Sequence, residues 1–437
     1  MDKLIINGGH RLRGSVRVNG AKNAALPMMA AALLLNRGHR LVLRHVPDLG
    51  DVRTMCTLLD TLGVRSARDR HTLTLSVEDD RAVRAPYEIV KTMRASICTL
   101  GPLVGRRGEA HVSHPGGCAI GVRPVDLHVR GIAALGARIT VDHGYIVARA
   151  PARRLRGGTV YLGGAFGSTV TGTANVMMAA VLARGTTVIE YAALEPEVQE
   201  LALLLNAMGA RIEGIGSYRM TIHGVDRLHG IDWTVMPDRI EAGTFMTCAA
   251  ITQGDVVVEN VRAEHMTAVL ETLSQMGCDL DVGALAVRVK GPRRLKPIDL
   301  NTLPFPGFPT DLQAQFMACA SLADGISVVT EKIYPERFAH LPELSRMGAQ
   351  ARKYESAAIV SGVRELHGAP VMASDLRAGA GLVVAALAAH GYTEVQRIYH
   401  LDRGYDHIER RLNAVGAKIR RVADKVAAAP ARETGTG

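Results

Sequence analysis

The strongest constraint on the fold is an internal repeat with a period of roughly 70 residues. In each copy an apolar segment with helical spacing ends at a glycine, and a short strand-like stretch follows, as in LLLNAMGARIE around Gly209. Glycine suits the left-handed position that commonly ends a helix, so each copy predicts a helix, a tight turn and a strand. The six copies are centred on Gly63, Gly136, Gly209, Gly277, Gly348 and Gly416.

Further apolar stretches such as DVVVENV (255–261) precede most copies, so strands and helices alternate and the fold class is α/β or α+β. A chain of 437 residues is too long for one ordinary core. Six repeats divide naturally into two lobes of three, with the seam near 226–240, and binding sites tend to form between lobes. The stretch after Val422 is small and polar, and we expect it to be a disordered tail.

The net charge of +10 is spread along the chain, and aromatic residues make up only 4%. With few aromatic rings to stack on bases and no recognisable nucleic-acid motif, this charge favours a cleft for a multiply anionic small substrate over nucleic acid. The N-terminus has no apolar signal core, and the longest apolar run, 24–35, is far shorter than the ~20 residues of a membrane helix. Six widely spaced cysteines without a C-x-x-C pair indicate a reducing cytoplasm, with neither disulfides nor a zinc site.

Three short stretches contain candidate chemical groups. In NGAKNAALP, Lys22 stands where a helix begins, a poor place for a cation unless an anion joins it; the alternative is a solvated lysine beside a helix capped by Asn23. In HPGGCAIGVRPVDLH, Cys118 lies among glycines with Arg123 nearby, and a cation lowers a thiol pKa; the alternative is a small residue filling a turn. In PFPGFPTDLQAQF, Asp311 is either a general base or, with the residue before it, a helix cap.

Arginines in turn contexts form a further candidate set. Any one of them could be an ordinary surface residue, but arginine is well suited to bidentate binding of carboxylate and phosphate. At matching strand-to-helix junctions of different repeats they would converge on one cleft. The set comprises Arg94, Arg337, Arg377 and Arg403.

Together these stretches resemble one family, the UDP-N-acetylglucosamine 1-carboxyvinyltransferases, over residues 1–422. The landmarks are GAKNAALP (20–27), PYEIVKTMRASI (86–97), PGGCAIGVRPVDLH (115–128), PDRIEAGTF (237–245), FPTDLQAQF (308–316), PELSRMGA (342–349), DLRA (375–378) and YHLDRGYDHIERRL (399–412).

The resemblance implies a two-domain inside-out α/β barrel built from six βαβαββ-type units, the enolpyruvyl transferase fold. One domain would comprise residues 22–232, the other residues 1–21 plus 233–422, and 423–437 would be the tail. The implied reaction moves the enolpyruvyl group of phosphoenolpyruvate to a sugar hydroxyl and releases phosphate, without a metal or organic cofactor.

The resemblance also implies roles for the candidate residues. Lys22 and Arg123, with Arg403 nearby, would bind the phosphate of phosphoenolpyruvate. Its carboxylate would be held by Arg337 and Arg377. Asp311 would take the proton of the attacking hydroxyl, and Cys118 would deliver a proton to the methylene carbon. The implied contacts to the acceptor are Asn23 and Arg94, Pro124, Val125, Asp126 and Leu127 around the uracil, and the backbone of Ile333.

One stretch departs from the family pattern. Where the family has a Ser-Val-Gly-like turn around the diphosphate, this chain has Thr169, Val170 and Thr171, with Gly167 at a lysine position. A Cβ at Thr171 narrows the approach of phosphate to the backbone. Two alternatives therefore stay open: a paralogue of secondary metabolism that uses UMP or a related uridine nucleotide, and a non-catalytic nucleotide-binding paralogue.

Overall fold

The computed structural model describes residues 2–114 and 125–423. Cys118, Arg123 and Pro124 lie outside the described residues, as do residues 424–437 of the expected tail. The α-helices of the described chain are α1 (Lys22–Ala31), α2 (Gly50–Thr61), α3 (Tyr87–Val90), α4 (Leu100–Arg107), α5 (Asp126–Ala134), α6 (Val170–Ala180), α7 (Pro196–Ala207), α8 (Arg239–Ile251), α9 (Thr267–Gln275), α10 (Gln313–Ala320), α11 (Leu341–Arg346), α12 (Leu376–Ala388) and α13 (Ile408–Ala414).

The strands of the described chain are short, mostly two to six residues. They are β1 (Asp2–Asn7), β2 (Arg13–Arg17), β3 (Arg40–Arg44), β4 (Val64–Asp69), β5 (Thr72–Val77), β6 (Arg84–Ala85), β7 (Glu109–Ser113), β8 (Arg138–Asp142), β9 (Tyr145–Arg149), β10 (Thr159–Tyr161), β11 (Gly163–Gly164), β12 (Gly167–Ser168), β13 (Thr186–Glu190), β14 (Arg211–Glu213), β15 (Arg219–His223), β16 (Asp232–Thr234), β17 (Asp255–Glu259), β18 (Asp279–Val282), β19 (Ala286–Lys290), β20 (Asp299–Thr302), β21 (Ile326–Glu331), β22 (Gln350–Tyr354), β23 (Ala357–Ser361), β24 (Pro370–Met372), β25 (Tyr392–Gln396) and β26 (Lys418–Ala423).

Six four-stranded sheets share one topology, which confirms the six repeated units. In β20-β21-β23-β22, for example, the first pair is parallel and the next two pairs are antiparallel. The same pattern holds for β6-β7-β9-β8, β10-β13-β15-β14, β16-β3-β5-β4, β2-β17-β19-β18 and β24-β25-β1-β26. The unit running β20-α10-β21-α11-β22-β23 shows the expected βαβαββ order.

The glycine at the end of each repeat helix has the backbone conformation that the sequence predicted. All six have φ between 78° and 104°, in the left-handed region where a side chain is strained. At Gly63 a Cβ would also lie 2.1 Å from the carbonyl oxygen of Asp79, so that position tolerates no side chain for a second reason.

Two separate buried cores lie beneath these sheets. One contains apolar side chains from Ala21 to Met236, and the other combines residues 4–18 with residues 240–419. One helix of each unit is almost wholly buried, as α8 and α12 show, so helices lie inside and sheets outside. Small residues let these helices approach closely: a Cβ on Gly101 of α4 would lie 2.0 Å from the carbonyl oxygen of Asn175 in α6.

The chain passes between the cores more than once. Strand β1 lies between β25 and β26, and β2 pairs in parallel with β17, so the N-terminal segment completes two sheets over the second core. In return, β16 pairs in parallel with β3 and completes a sheet over the first core. The segments around 18–21 and 234–239 run side by side, joined by the bridge between Gly20 and Pro237.

Candidate functional site

The Asp311 carboxylate lies between two arginines that are distant from it in sequence. Its Oδ1 accepts a hydrogen bond from Nη1 of Arg337 at 2.8 Å, and its Oδ2 lies 3.1 Å from Nη2 of Arg377. Burial alone would raise the pKa of the Asp311 carboxyl, but Arg377 and Arg337, with Lys22, outweigh it and hold that pKa well below its usual range. This carboxylate is therefore ionised and doubly paired.

The interpretation of Thr310 and Asp311 as a helix cap is wrong. The 3-10 turn Thr310–Leu312 and helix α10 begin without a side-chain cap, because both side chains are engaged elsewhere. The Thr310 hydroxyl accepts from Nη1 of Arg337 at 2.9 Å, and Asp311 binds the two arginines.

The guanidinium of Arg377 is fixed from a second side. Its Nη1 donates to the Tyr405 hydroxyl at 3.1 Å, and that hydroxyl lies 2.9 Å from Oγ1 of Thr244. The Asp375 carboxylate caps α12 by accepting from the amides of Arg377 and Ala378, which fixes the backbone as well. The arginine is preorganised to bind an anion in one orientation.

Lys22 and Arg403 form a second pair of cations, and one carboxylate joins them. Oδ2 of Asp51 lies 3.1 Å from Nζ of Lys22, and its Oδ1 accepts from Nε of Arg403 at 2.8 Å. Lys22 is buried, so it is not the solvated lysine of the alternative interpretation, and the cap position of α1 is Ala21 without a side-chain bond, so Asn23 is not its cap. Asn23 is exposed in the first turn of α1.

Sequence reasoning did not find Asp51. It lies in the first turn of α2, where an acidic residue is favoured by the helix dipole alone, so nothing in its spacing marks it. Burial by itself would raise its pKa, but Lys22 and Arg403 together lower that pKa below its usual range. The segment that carries Arg403 also carries Tyr405, whose hydroxyl accepts from Arg377 at 3.1 Å, so the two cation pairs belong to one site.

Asp238 is a second functional candidate that the sequence did not reveal, although it lies within the landmark PDRIEAGTF. Its Oδ1 caps α8 by accepting from the amides of Ile240 and Glu241, and its Oδ2 accepts from the amide of Lys22 at 3.2 Å. One carboxylate thus joins the start of α1 to the start of α8, at the border between the two cores.

A buried ion pair also links the cores. Nε of Arg239 donates to Oε1 of Glu197 at 2.9 Å, and both side chains are at most one-tenth exposed. Beside it, Glu195 accepts from the amide of Phe305 at 3.4 Å, and burial raises the pKa of this carboxyl. No motif in the sequence pointed to this group.

Part of the predicted nucleotide site, at the starts of α5 and α6, lies around the buried side chain of His128. The Asn175 amide oxygen accepts from the amide of Gly101, so its nitrogen donates to the carbonyl of Ile97 and to Nδ1 of His128 at 2.9 Å. His128 therefore carries its proton on Nε2 and donates it to Oγ1 of Thr171 at 3.2 Å. Burial, with the charge of Arg94, lowers the pKa of His128 to about 3, so the ring is neutral.

The start of α6 lies beside this network. Oγ1 of Thr169 caps the helix by accepting from the amide of Gly172 at 3.2 Å, and Val170 is its first residue. Thr171 follows in the first turn, so its side chain, absent from the family pattern, is held by His128 rather than free.

Three further predicted contacts lie where the described chain resumes at residue 125. Val125 is buried at the N-terminal end of α5, and Asp126 and Leu127 are the first residues of that helix. The Leu127 side chain lies against Gly164 of β11, where a Cβ would meet its Cδ1 at 3.1 Å. The Ile333 amide, in contrast, lies with the Asp311 group, because it donates to Glu331.

The thiols of the five described cysteines are not candidates for the acid role predicted for Cys118. Burial raises the pKa of each thiol, to about 12 for Cys98 and Cys278, so they are protonated near neutral pH.

In residues 2–114 and 125–423 no cluster of three or more His, Cys, Asp or Glu side chains could hold a metal ion. In the same part of the chain no helix has the length and apolar character needed to cross a membrane.

Comparison with known proteins identifies the family of this chain. The model of the EPSP synthase (3-phosphoshikimate 1-carboxyvinyltransferase) family matches residues 6–412. The UDP-N-acetylglucosamine 1-carboxyvinyltransferase of Myxococcus xanthus is 52% identical over 96% of this chain and 99% of its own length. That of Zymomonas mobilis is 52% identical over 97% of this chain and 100% of its own. The chain belongs to the UDP-N-acetylglucosamine 1-carboxyvinyltransferase family.

Solved structures give the same fold for this enolpyruvyl transferase. NikO, an enolpyruvyl transferase from Streptomyces tendae, superposes with a TM-score of 0.86 at 26% identity, over 96% of this chain and 98% of its own. An EPSP synthase from Acinetobacter baumannii superposes with a TM-score of 0.74 at 18% identity, over 97% and 100%. The predicted two-lobed, six-unit enolpyruvyl transferase fold is thereby confirmed.

Proposed function

We propose that this enzyme transfers the enolpyruvyl group of phosphoenolpyruvate to the 3-hydroxyl of UDP-N-acetylglucosamine and releases phosphate. The observation that carries this proposal is one site with two pairs of cations, each closed by an internal carboxylate: Asp51 on one pair and Asp311 on the other. A substrate with a phosphate and a carboxylate on neighbouring atoms matches two such pairs. The names of the relatives at 52% identity support the same substrates.

Each pair of cations binds a different end of phosphoenolpyruvate. Lys22 and Arg403, completed by Arg123, bind the phosphate, and Arg337 and Arg377 bind the carboxylate. Positive charge develops at carbon 2 when carbon 3 is protonated. The cations hold the substrate by its phosphate and its carboxylate, so these two anionic groups lie between the cations and the developing charge. Cys118 supplies the proton to carbon 3 as the general acid.

Asp311 then takes the proton of the attacking hydroxyl. In the unliganded protein its pKa is far too low for an efficient base, because both guanidiniums are committed to it. The carboxylate of phosphoenolpyruvate shares those guanidiniums when it binds, and its negative charge raises the pKa of Asp311. The base thus becomes competent when the donor substrate is bound.

The acceptor lies across Asn23 and the group around His128. Arg94, Thr169 and Val170 face its diphosphate. Its uracil lies against Pro124, Val125, Asp126 and Leu127, and the backbone of Ile333 completes the contacts. We assign the protein's two domains to residues 22–232 and to residues 1–21 plus 233–422. The protein works in the cytoplasm without nucleic acid as a partner.

A phosphate-release assay tests this function and separates the acceptors. With phosphoenolpyruvate present, we expect release with UDP-N-acetylglucosamine and at least about tenfold less with UMP, the size of effect expected when diphosphate contacts are lost. Release that is faster with UMP would favour the secondary-metabolism alternative, and no release with either nucleotide would favour the non-catalytic one.

The loop thiol has its own test. The resemblance implies that the epoxide fosfomycin alkylates Cys118, so we expect a single adduct on that residue by mass spectrometry and loss of activity. Full activity after prolonged exposure, with an unmodified Cys118, would remove the thiol from the mechanism. A Cys56→Ser variant is the matched control, because its half-buried thiol has a raised pKa and should not affect the outcome.

A further inference from the structure

Glu331 is a buried carboxylate without a counter-ion among the described residues, and it has no role in the reaction described so far. It is the last residue of β21 and is fully buried. Within residues 2–114 and 125–423 no lysine, arginine or histidine lies within ion-pair distance of it. An isolated buried carboxylate is unfavourable, so four hydrogen bonds must compensate it.

The four donors are divided between the two oxygens. Oε1 accepts from the Thr302 hydroxyl at 2.7 Å and from the amides of Ile333 and Tyr334 at 2.9 and 3.0 Å. Oε2 accepts from the Thr310 hydroxyl at 2.8 Å. One oxygen therefore holds the turn after β21, and the other reaches toward the reacting groups.

The bond to Thr310 fixes the direction of that hydroxyl. Because its proton points to Glu331, its lone pairs face Nη1 of Arg337, which donates to it at 2.9 Å. The same nitrogen donates to Asp311 at 2.8 Å. A Thr310 hydroxyl free to turn could donate to Asp311 itself and displace the guanidinium.

We propose that Glu331 is a positioning residue for the enolpyruvyl transfer: through Thr310 it fixes Arg337 against Asp311, and through two amides it fixes the turn at Ile333. This inference rests on the proposed function, since it assigns a purpose to the arrangement of Asp311. The two halves act on different substrates, because Arg337 binds the donor and the turn contacts the acceptor.

Substitution of the two threonines separates the halves. Each loses one hydroxyl from the same carboxylate, so Thr302→Val is a matched control for Thr310→Val. We expect Thr310→Val to lower kcat about tenfold, the effect of one lost buried hydrogen bond, with a KM for UDP-N-acetylglucosamine that changes about threefold at most. Thr302→Val should do the reverse, raising that KM more than it lowers kcat, because its hydroxyl also accepts from the amide of Lys332.

Two further variants complete the test. Thr310→Ser keeps the hydroxyl and should restore kcat to within about threefold of the parent. In Glu331→Gln the amide oxygen must stay with the three donors at Oε1, so its nitrogen faces Thr310 and turns that hydroxyl away. We therefore expect Glu331→Gln to match Thr310→Val in kcat and to keep the parent's KM for the nucleotide sugar.

The outcomes distinguish this proposal from the proposed function. A parent enzyme that releases no phosphate defeats the function, and this inference with it. An active parent combined with an unaffected Glu331→Gln defeats the positioning role alone. Equal losses of kcat in Thr302→Val and Thr310→Val, in proportion to a fall in melting temperature and without rescue by serine, would reduce Glu331 to a structural residue.

Discussion

The Asp51→Asn substitution tests the pairing of Lys22 and Arg403 most directly. It removes the negative charge from a carboxylate that is 3.1 Å from one cation and 2.8 Å from the other, with side-chain exposures of only 7% for Asp51 and 10% for Lys22. Removing one partner of a buried ion pair costs about 3–5 kcal/mol, because the remaining charge stays buried and unpaired. For a core of this size, each kcal/mol corresponds to about 2–4 °C, so we expect a fall in Tm of about 6 °C or more.

The assay is thermal denaturation with and without inorganic phosphate. Phosphate replaces the missing negative charge, so we expect it to raise the Tm of Asp51→Asn by more than that of the parent. Asp48→Asn, three residues from Asp51, is the matched control, because it breaks only an exposed pair with Arg53 and should leave the Tm almost unchanged. A Tm of Asp51→Asn within about 2 °C of that of Asp48→Asn would correspond to at most about 1 kcal/mol. That result would show that the buried pairing does not stabilise the site.

The pH dependence of this difference has a definite sign. The pKa of Asp51 is lowered in the folded protein, so its stabilising contribution is complete above the ordinary aspartate pKa of about 3.9. It is lost only as the pH falls through the lower pKa of the folded state. The gap between parent and Asp51→Asn should therefore be constant near neutral pH and should narrow only in acid below about pH 4.

Two further predictions concern the ion pair between the cores and the thiols. Arg239→Gln leaves Glu197 buried without its partner, so we expect a fall in stability of about 3 kcal/mol in denaturant unfolding. Arg44→Gln, which breaks an exposed pair with Asp232, should not change the unfolding midpoint, and equal effects in the two variants would contradict the argument. With iodoacetamide near pH 7.5, peptide mapping should find Cys118 modified first, because the pKa of every described thiol is raised. Faster modification of Cys98 or Cys248 would show that their burial does not protect them.

The sequence predicted the parts of this fold that are repeated. A glycine after each apolar helix requires a left-handed residue, and all six such glycines have one. Repetition also predicted two lobes, because six equivalent units cannot share one core of ordinary size. The exchange of β2 and β16 between the two halves left no signal in spacing, since strand pairing across more than 180 residues depends on tertiary packing.

The site also contains residues that the sequence predicted and residues that it did not. Lys22 stands out because a cation at the start of a helix conflicts with the helix dipole. Asp311 and the arginines were candidates by residue type alone, and Asp311 proved to be no cap. Asp51 and Asp238 conflict with nothing, because an acidic residue at the start of a helix has a sufficient local reason to be there. Their second partners, Arg403 and the amide of Lys22, come from distant parts of the chain, which only the folded structure brings together.

The position of β1 between β25 and β26 sets an order of events during synthesis. Asn7 pairs with Tyr392, so the first strand leaves the ribosome long before its neighbours exist. At about 5–20 residues per second, it remains without them for roughly 20–80 s. The first core can gather its helices in that interval, whereas the second needs strands from both ends of the described chain. The nascent protein therefore exposes the unpaired edges of β1 until β25 and β26 have been synthesised, and chaperones have reason to bind it in that interval.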